Sequence, residues 1–108
     1  KPLEAKLQLP VIPLGFDHAF MMFTLVIKDK SINKWSLLRY LESHRIETRE
    51  LLPLLNQPAY KKVFGNLEKN YPIAHHLNQF GFYLGCHPSM TNKDIKYIAE
   101  KIHEFLSK

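Results

Sequence analysis

Residues 18–27 constrain the fold of this chain more than any other stretch. Read as a strand, one face carries Phe20, Met22, Thr24 and Val26, and the other carries Ala19, Met21, Phe23, Leu25 and Ile27. A strand apolar on both sides has to be covered on both sides, by its own domain or by a neighbour. The run is broken by Thr24 and is about half the length that spans a bilayer, so it predicts a buried strand and no membrane partner.

The rest of the chain supplies elements that could cover it. With 108 residues, 45% apolar and 23% charged, the composition fits one soluble globular domain. Residues 1–15 carry Pro2, Pro10 and Pro13 and end at Gly15. They read as an extended lead-in or linker, because proline removes a backbone donor and extends the residue before it. Residues 16–108 read as the domain. A helix is predicted over 35–43, with Trp35, Leu37, Leu38 and Leu41 on its apolar stripe and Ser31 or Asn33 as its cap. A short strand over 45–51 follows from Ile46 and Thr48. Pro53 and Pro58 then bracket the loop Leu54-Leu55-Asn56-Gln57, and one or two helical turns over 59–64 stop at Gly65.

Pro72 opens the next helix, which runs through Ile73, Ala74, Leu77 and Phe80 and stops before Gly81. Residues 82–84 read as a strand and His87-Pro88-Ser89 as a turn. The last helix starts at Thr91, which stands three residues before Asp94 as an N-cap pair. Aspartate is shorter than the glutamate usual there, which leaves the return bond open. Ile95, Ile98, Ala99, Ile102, Phe105 and Leu106 line the buried side of that helix. The fold class expected from this order is α+β, a small antiparallel or mixed sheet with helices packed on it.

The net charge of +5 would suit an acidic partner. Its distribution argues against one. Lys28, Lys30 and Lys34 surround Asp29, and Lys61 and Lys62 form a second small pair. Interspersed signs of this kind describe a solvated surface and no nucleic-acid partner. Cys86 is the single cysteine, so no internal disulfide forms and a reducing, cytoplasmic setting is expected. The first residue is lysine and no leader follows it, which reads as a chain that begins after processing or inside something longer.

Four groups invite a chemical reading. His75 and His76 are adjacent on a helix, so their rings point about 100° apart and share no metal. Cys86 and His87 diverge on a strand and make no catalytic dyad, although His87 enters a loop where ligand contact is common. Arg49 stands at the entry to the proline-bracketed loop. Its planar fork suits a phosphate or carboxylate, with an ion pair to Glu47 or Glu50 as the alternative. Asn56 and Gln57 put two amides on the same loop, to hold a ligand or to brace the backbone. No phosphate loop, zinc pattern or nucleophile elbow is present, and no catalytic or metal residue is assigned. The residues by themselves thus predict an α+β domain with one loop of interest, serving as a free-standing ligand- or polyanion-binding module or as an interaction domain.

Five segments, in order, extend that reading. They are His18-Ala19-Phe20-Met21-Met22-Phe23, Ile46-Glu47-Thr48-Arg49, Pro53-Leu54-Leu55-Asn56-Gln57-Pro58-Ala59-Tyr60, Tyr71-Pro72-Ile73-Ala74 and Gly81-Phe82-Tyr83-Leu84-Gly85-Cys86-His87-Pro88-Ser89-Met90-Thr91. Together they resemble the C-terminal small domain of the DegT/DnrJ/EryC1/StrS family, pyridoxal-phosphate-dependent sugar aminotransferases of aspartate-aminotransferase fold type. The chain departs from that pattern at Arg45, where glycine is usual and a tight turn would change. It departs again at Leu84-Gly85 in place of Leu-Pro, and at Asn56, where many members carry histidine.

The resemblance implies a longer enzyme whose upstream large domain holds the cofactor, pyridoxal 5'-phosphate, with none bound by this part alone. It implies a homodimer and a nucleotide-linked sugar substrate, in deoxy-amino-sugar or surface-polysaccharide biosynthesis. The stretch from Arg49 to Tyr60 would lie nearest the sugar, giving Arg49, Asn56, Gln57, Tyr60 and His87 as substrate contacts. A related reaction in the same family is a pyridoxamine-phosphate-dependent 3-dehydration.

Overall fold

The computed structural model describes residues 3–108; Lys1 and Pro2, part of the expected lead-in, lie outside them. Four strands make one sheet: β1 (Leu7–Gln8), β2 (Met22–Ile27), β3 (Thr48–Glu50) and β4 (Gly81–Gly85). Their order is β1-β2-β4-β3 and every neighbouring pair is antiparallel. The helices are α1 (Lys34–Ser43), α2 (Pro58–Phe64), α3 (Pro72–Phe80) and α4 (Asn92–Leu106). The fold is α+β.

The register gathers the core on one face of the sheet. Leu25 stands opposite Phe82, Phe23 opposite Leu84, and Leu7 opposite Ile27, so all six side chains point the same way. Leu37, Leu38 and Leu41 of α1 and Ile102 and Leu106 of α4 join them in a single apolar cluster. Leu25, Val26 and Ile27 are consecutive and all buried. This end of β2 is therefore covered on both faces within the chain, as its composition demands.

Local chemistry sets the element ends. The Asn33 side chain accepts from the Ser36 N–H at 2.9 Å and caps α1. At α4 the return bond is made despite the short carboxylate: Thr91 N–H donates to Asp94 Oδ2 at 2.8 Å, and Asp94 N–H donates to Thr91 Oγ1 at 3.3 Å. Pro72 occupies the first turn of α3, where its missing N–H costs nothing. Gly65 ends α2 with a φ of 72°.

Three expectations are corrected. The strand expected over 18–27 starts at Met22, because Phe20 takes a φ of 43° and gives its N–H to His18 Nδ1 at 2.8 Å, away from any strand partner. On α1 the roles of two neighbours are exchanged: Trp35 is 53% exposed, whereas Lys34, read as surface charge, is 6% exposed. The strand expected over 45–51 shortens to Thr48–Glu50, because residues 44–46 are used to close α1. Leu7 and Gln8, within the first 15 residues, pair with β2 as β1, with Leu7 in the core.

Candidate functional site

The proline-bracketed loop leaves the end of β3. Arg49 lies on β3 opposite Tyr83 and is exposed. Its Nε and Nη2 donate to Glu47 Oε1 at 3.0 and 2.6 Å. Both side chains of this pair are about two-thirds exposed or more (65% and 72%). An ion pair so wetted contributes about 1 kcal/mol at most, so an incoming anion can compete for the guanidinium.

Pro53 is extended and leads into a 3₁₀ turn, Leu54–Asn56. Asn56 N–H donates to Pro53 O and Gln57 N–H to Leu54 O, each at 3.1 Å. The backbone here is thus self-sufficient, and the amide side chains are not spent on it. Asn56 Oδ1 is buried without a hydrogen-bond partner among the described residues. Gln57 precedes α2 but makes no side-chain cap bond. Tyr60 is half exposed and stacks on Phe64, ring centroids 6.1 Å apart. An unpaired buried acceptor is costly, which makes Asn56 the polar group of this loop with most to gain from a donor.

His87 stands elsewhere. Glu50 pairs with Phe82 and Thr48 with Leu84, so the loop departs beside the first residue of β4, while His87 follows its last. The sheet therefore separates His87 from Asn56, Gln57 and Tyr60. His87 Nδ1 lies 2.6 Å from Ser89 Oγ, and Met90 N–H donates to His87 O at 3.0 Å to close the turn. His87 lines two adjoining cavities. One, of about 400 Å³, is apolar and runs beneath Ile95, Ile98 and Ile102 to Leu3, Leu7 and Phe23. Ile95, expected on the buried stripe of α4, borders it and is 55% exposed. The other, of about 710 Å³, is more polar and is bordered by His44, Arg45, Glu47, Asp94 and Tyr97.

His75 and His76 diverge: His75 Nδ1 approaches Glu68 Oε2 at 3.6 Å, and the His76 ring lies over Phe80 at 4.9 Å. No group of three metal-ligating side chains occurs among the described residues. Cys86 is a free, half-buried thiol. No lysine among the described residues lines either cavity.

Sequence reasoning missed Lys34. Its ammonium donates to Asn78 O at 2.7 Å and to Glu50 Oε1 at 3.2 Å, with Gly81 O at 3.5 Å. These acceptors are remote in sequence, so periodicity could not reveal them. The one local signal is a cation in the first turn of a helix, where the macrodipole disfavours it.

Comparison with known proteins gives the wider setting. A family model described as the DegT/DnrJ/EryC1/StrS aminotransferase family matches residues 2–103. The chain is similar to dTDP-4-dehydro-2,6-dideoxy-D-glucose 3-dehydratase of Saccharopolyspora spinosa, 29% identical over 105 residues, covering 94% of this chain and 23% of that protein. It is similar to GDP-perosamine synthase of Escherichia coli O157:H7, 30% identical over 91 residues, covering 83% of this chain and 24% of that protein. Among solved structures it shares its fold with E. coli GDP-4-keto-6-deoxy-D-mannose-3-dehydratase holding hydrated PLP. There the TM-score is 0.75 at 22% identity, over 90% of this chain and 25% of the other. The chain spans about a quarter of the length of the curated relatives it matches. No helix among the described residues is long and apolar enough to cross a membrane.

Proposed function

This chain belongs to the DegT/DnrJ/EryC1/StrS aminotransferase family, and on that footing we propose that it is the small C-terminal domain of a pyridoxal-phosphate-dependent nucleotide-sugar aminotransferase, inert alone. In this reading residues 16–108 form the body of the domain and the lead-in, residues 1–15, is strapped to it through β1. An upstream large domain of the same polypeptide holds the cofactor, and a cytoplasmic homodimer completes the site. The observation that carries the reading is a family match running through nearly the whole chain, which accounts for only a quarter of its relatives' length.

The cofactor would serve as the electron sink for amino transfer to a keto sugar. The described residues do not fit it: neither cavity offers a lysine, and the ammonium of the buried Lys34 is taken by Glu50 and Asn78 O. This domain contributes binding and orientation instead. Arg49 offers a guanidinium held only by a wetted ion pair, Asn56 an unpaired acceptor, and Gln57 and Tyr60 further polar groups on the same loop. These four are the proposed substrate contacts. His87 stays in the set as a contact from the opposite end of the sheet.

The decisive experiment gives the full-length protein a nucleotide-linked keto sugar with glutamate. An amino sugar and 2-oxoglutarate are expected in equal amounts. Loss of the 3-hydroxyl without amine incorporation would favour the 3-dehydration found by name in two of the similar proteins. Turnover of neither kind would remove the proposal. Mixed with pyridoxal phosphate, the 108-residue chain itself should develop no stoichiometric lysine-bound absorbance.

A further inference from the structure

We infer that Lys34 is a positioning residue for the loop over residues 51–60, acting as a buried anchor at the point where that loop leaves the sheet. The inference rests on the reading of this loop as the substrate-facing one.

Lys34 is an odd residue where it stands. It opens α1, where a cation opposes the helix macrodipole, and it is among the most buried polar residues of the chain. Both circumstances are unfavourable for an ammonium. Its charge does not remain at the start of α1. The side chain crosses to the last turn of α3, where Asn78 O presents the negative end of that helix, to Gly81 O just beyond it at the start of β4, and to the Glu50 carboxylate. A lysine meeting exposed carbonyls at a helix C-terminus is well placed. One ammonium therefore ties together the start of α1, the end of α3 and the last residue of β3.

Glu50 is the residue after Arg49 and immediately precedes the loop. It is held through its side chain by Lys34. The next residue, Leu51, packs its side chain over Gly81, the same glycine whose carbonyl faces Lys34. Two consecutive residues are thus fixed at the base of a loop whose outer part is largely exposed: α2 has no buried residue, and Leu52 and Leu54 are exposed. The aim of Arg49, Asn56 and Tyr60 depends on this base. Lys34 touches none of them.

The test uses the full-length protein with Lys34→Met, which keeps the stem and removes the charge. Amide hydrogen exchange over residues 51–60 should accelerate about tenfold, while exchange over α4 stays as in the parent. The KM for the sugar nucleotide should rise about tenfold with kcat within about twofold and cofactor affinity unchanged. Glu50→Gln, which keeps the two carbonyl acceptors, should give a smaller change of the same kind. Lys34→Arg should restore part of the KM. Parent-like exchange over 51–60, or acceleration that spreads equally to α4, overturns the inference. If Lys34→Met does not fold, parent-like loop exchange in Glu50→Gln overturns it. Faster loop exchange with an unchanged KM upholds the anchor and removes the substrate role of the loop.

Discussion

The backbone N–H of Ile46 donates to the carbonyl of Leu41 at 3.0 Å, bridging Arg45, whose φ is 62°. Arg45 N–H donates to Glu42 O at 2.9 Å, and Leu41 and Ile46 are both buried. This is a Schellman closure with its usual apolar contact. The turn, expected to change with arginine at this position, is kept by Arg45 in the left-handed region, at a backbone cost of about 1–2 kcal/mol for an L-residue. Arg45→Gly is expected to stabilise the chain by about 1 kcal/mol, less the glycine's extra entropy in the unfolded state. Arg45→Ala should give no such gain. Urea unfolding of the two variants separates these outcomes.

Gly81 is required for a different reason. Its φ is −90°, open to any residue, but a Cβ there would meet the Leu77 carbonyl and the Leu51 side chain. Gly81→Ala is expected to cost about 1–3 kcal/mol, the usual range for overpacking. The same substitution at Gly85, where nothing stands within 4 Å, should be nearly neutral. Thermal unfolding of both variants checks the contrast.

The α4 cap carries a pH dependence. The Thr91 hydroxyl, and then its backbone N–H, donate to Asp94 and hold that carboxyl below the usual aspartate value. A lowered folded value means that the stabilisation is complete at neutral pH and is lost as pH falls through the lowered value. Asp94→Asn should therefore be less stable than the parent at about pH 7, with the gap closing as pH falls through the lowered Asp94 value. Thr91→Ala should cost about 1 kcal/mol. Acid titrations of unfolding midpoints read both effects.

Arg49→Ala in the full-length enzyme should raise the KM for the sugar nucleotide while cofactor affinity holds. Its effect on stability should stay within about 0.5 kcal/mol, because the Glu47 pair it removes is exposed. Steady-state kinetics at varied sugar nucleotide, with a cofactor titration, is the measurement. Unchanged kinetics would take Arg49 out of the site.

What could be read from the sequence follows the range of the physics involved. The boundaries of α4, α2 and α3 were legible because Thr91, Gly65 and Pro72 act on their own neighbours. β1 was not, since two residues carry no period and Leu7 is recruited by Ile27 from far along the chain. Trp35 and Lys34 exchanged roles because hydrophobicity favours the indole, while the carbonyls that accept the lysine lie at the end of α3 and the start of β4. The candidate site divides in the same way. The loop was marked by Pro53 and Pro58, but the distance between it and His87 is set by the direction of β4 against β3, which residue types do not encode.

The strand order has a consequence during synthesis. β4 lies between β2 and β3, yet it is the last of these four strands to emerge from the ribosome. Until Gly85 is made, β2 has, among the described strands, only the two residues of β1 as a neighbour and presents an open edge with two apolar faces. Such an edge is a template for wrong pairing. A nascent chain halted between β3 and β4 therefore carries three of these four strands but lacks the one that joins them, and its most adhesive segment is left to chaperones or to other copies of itself.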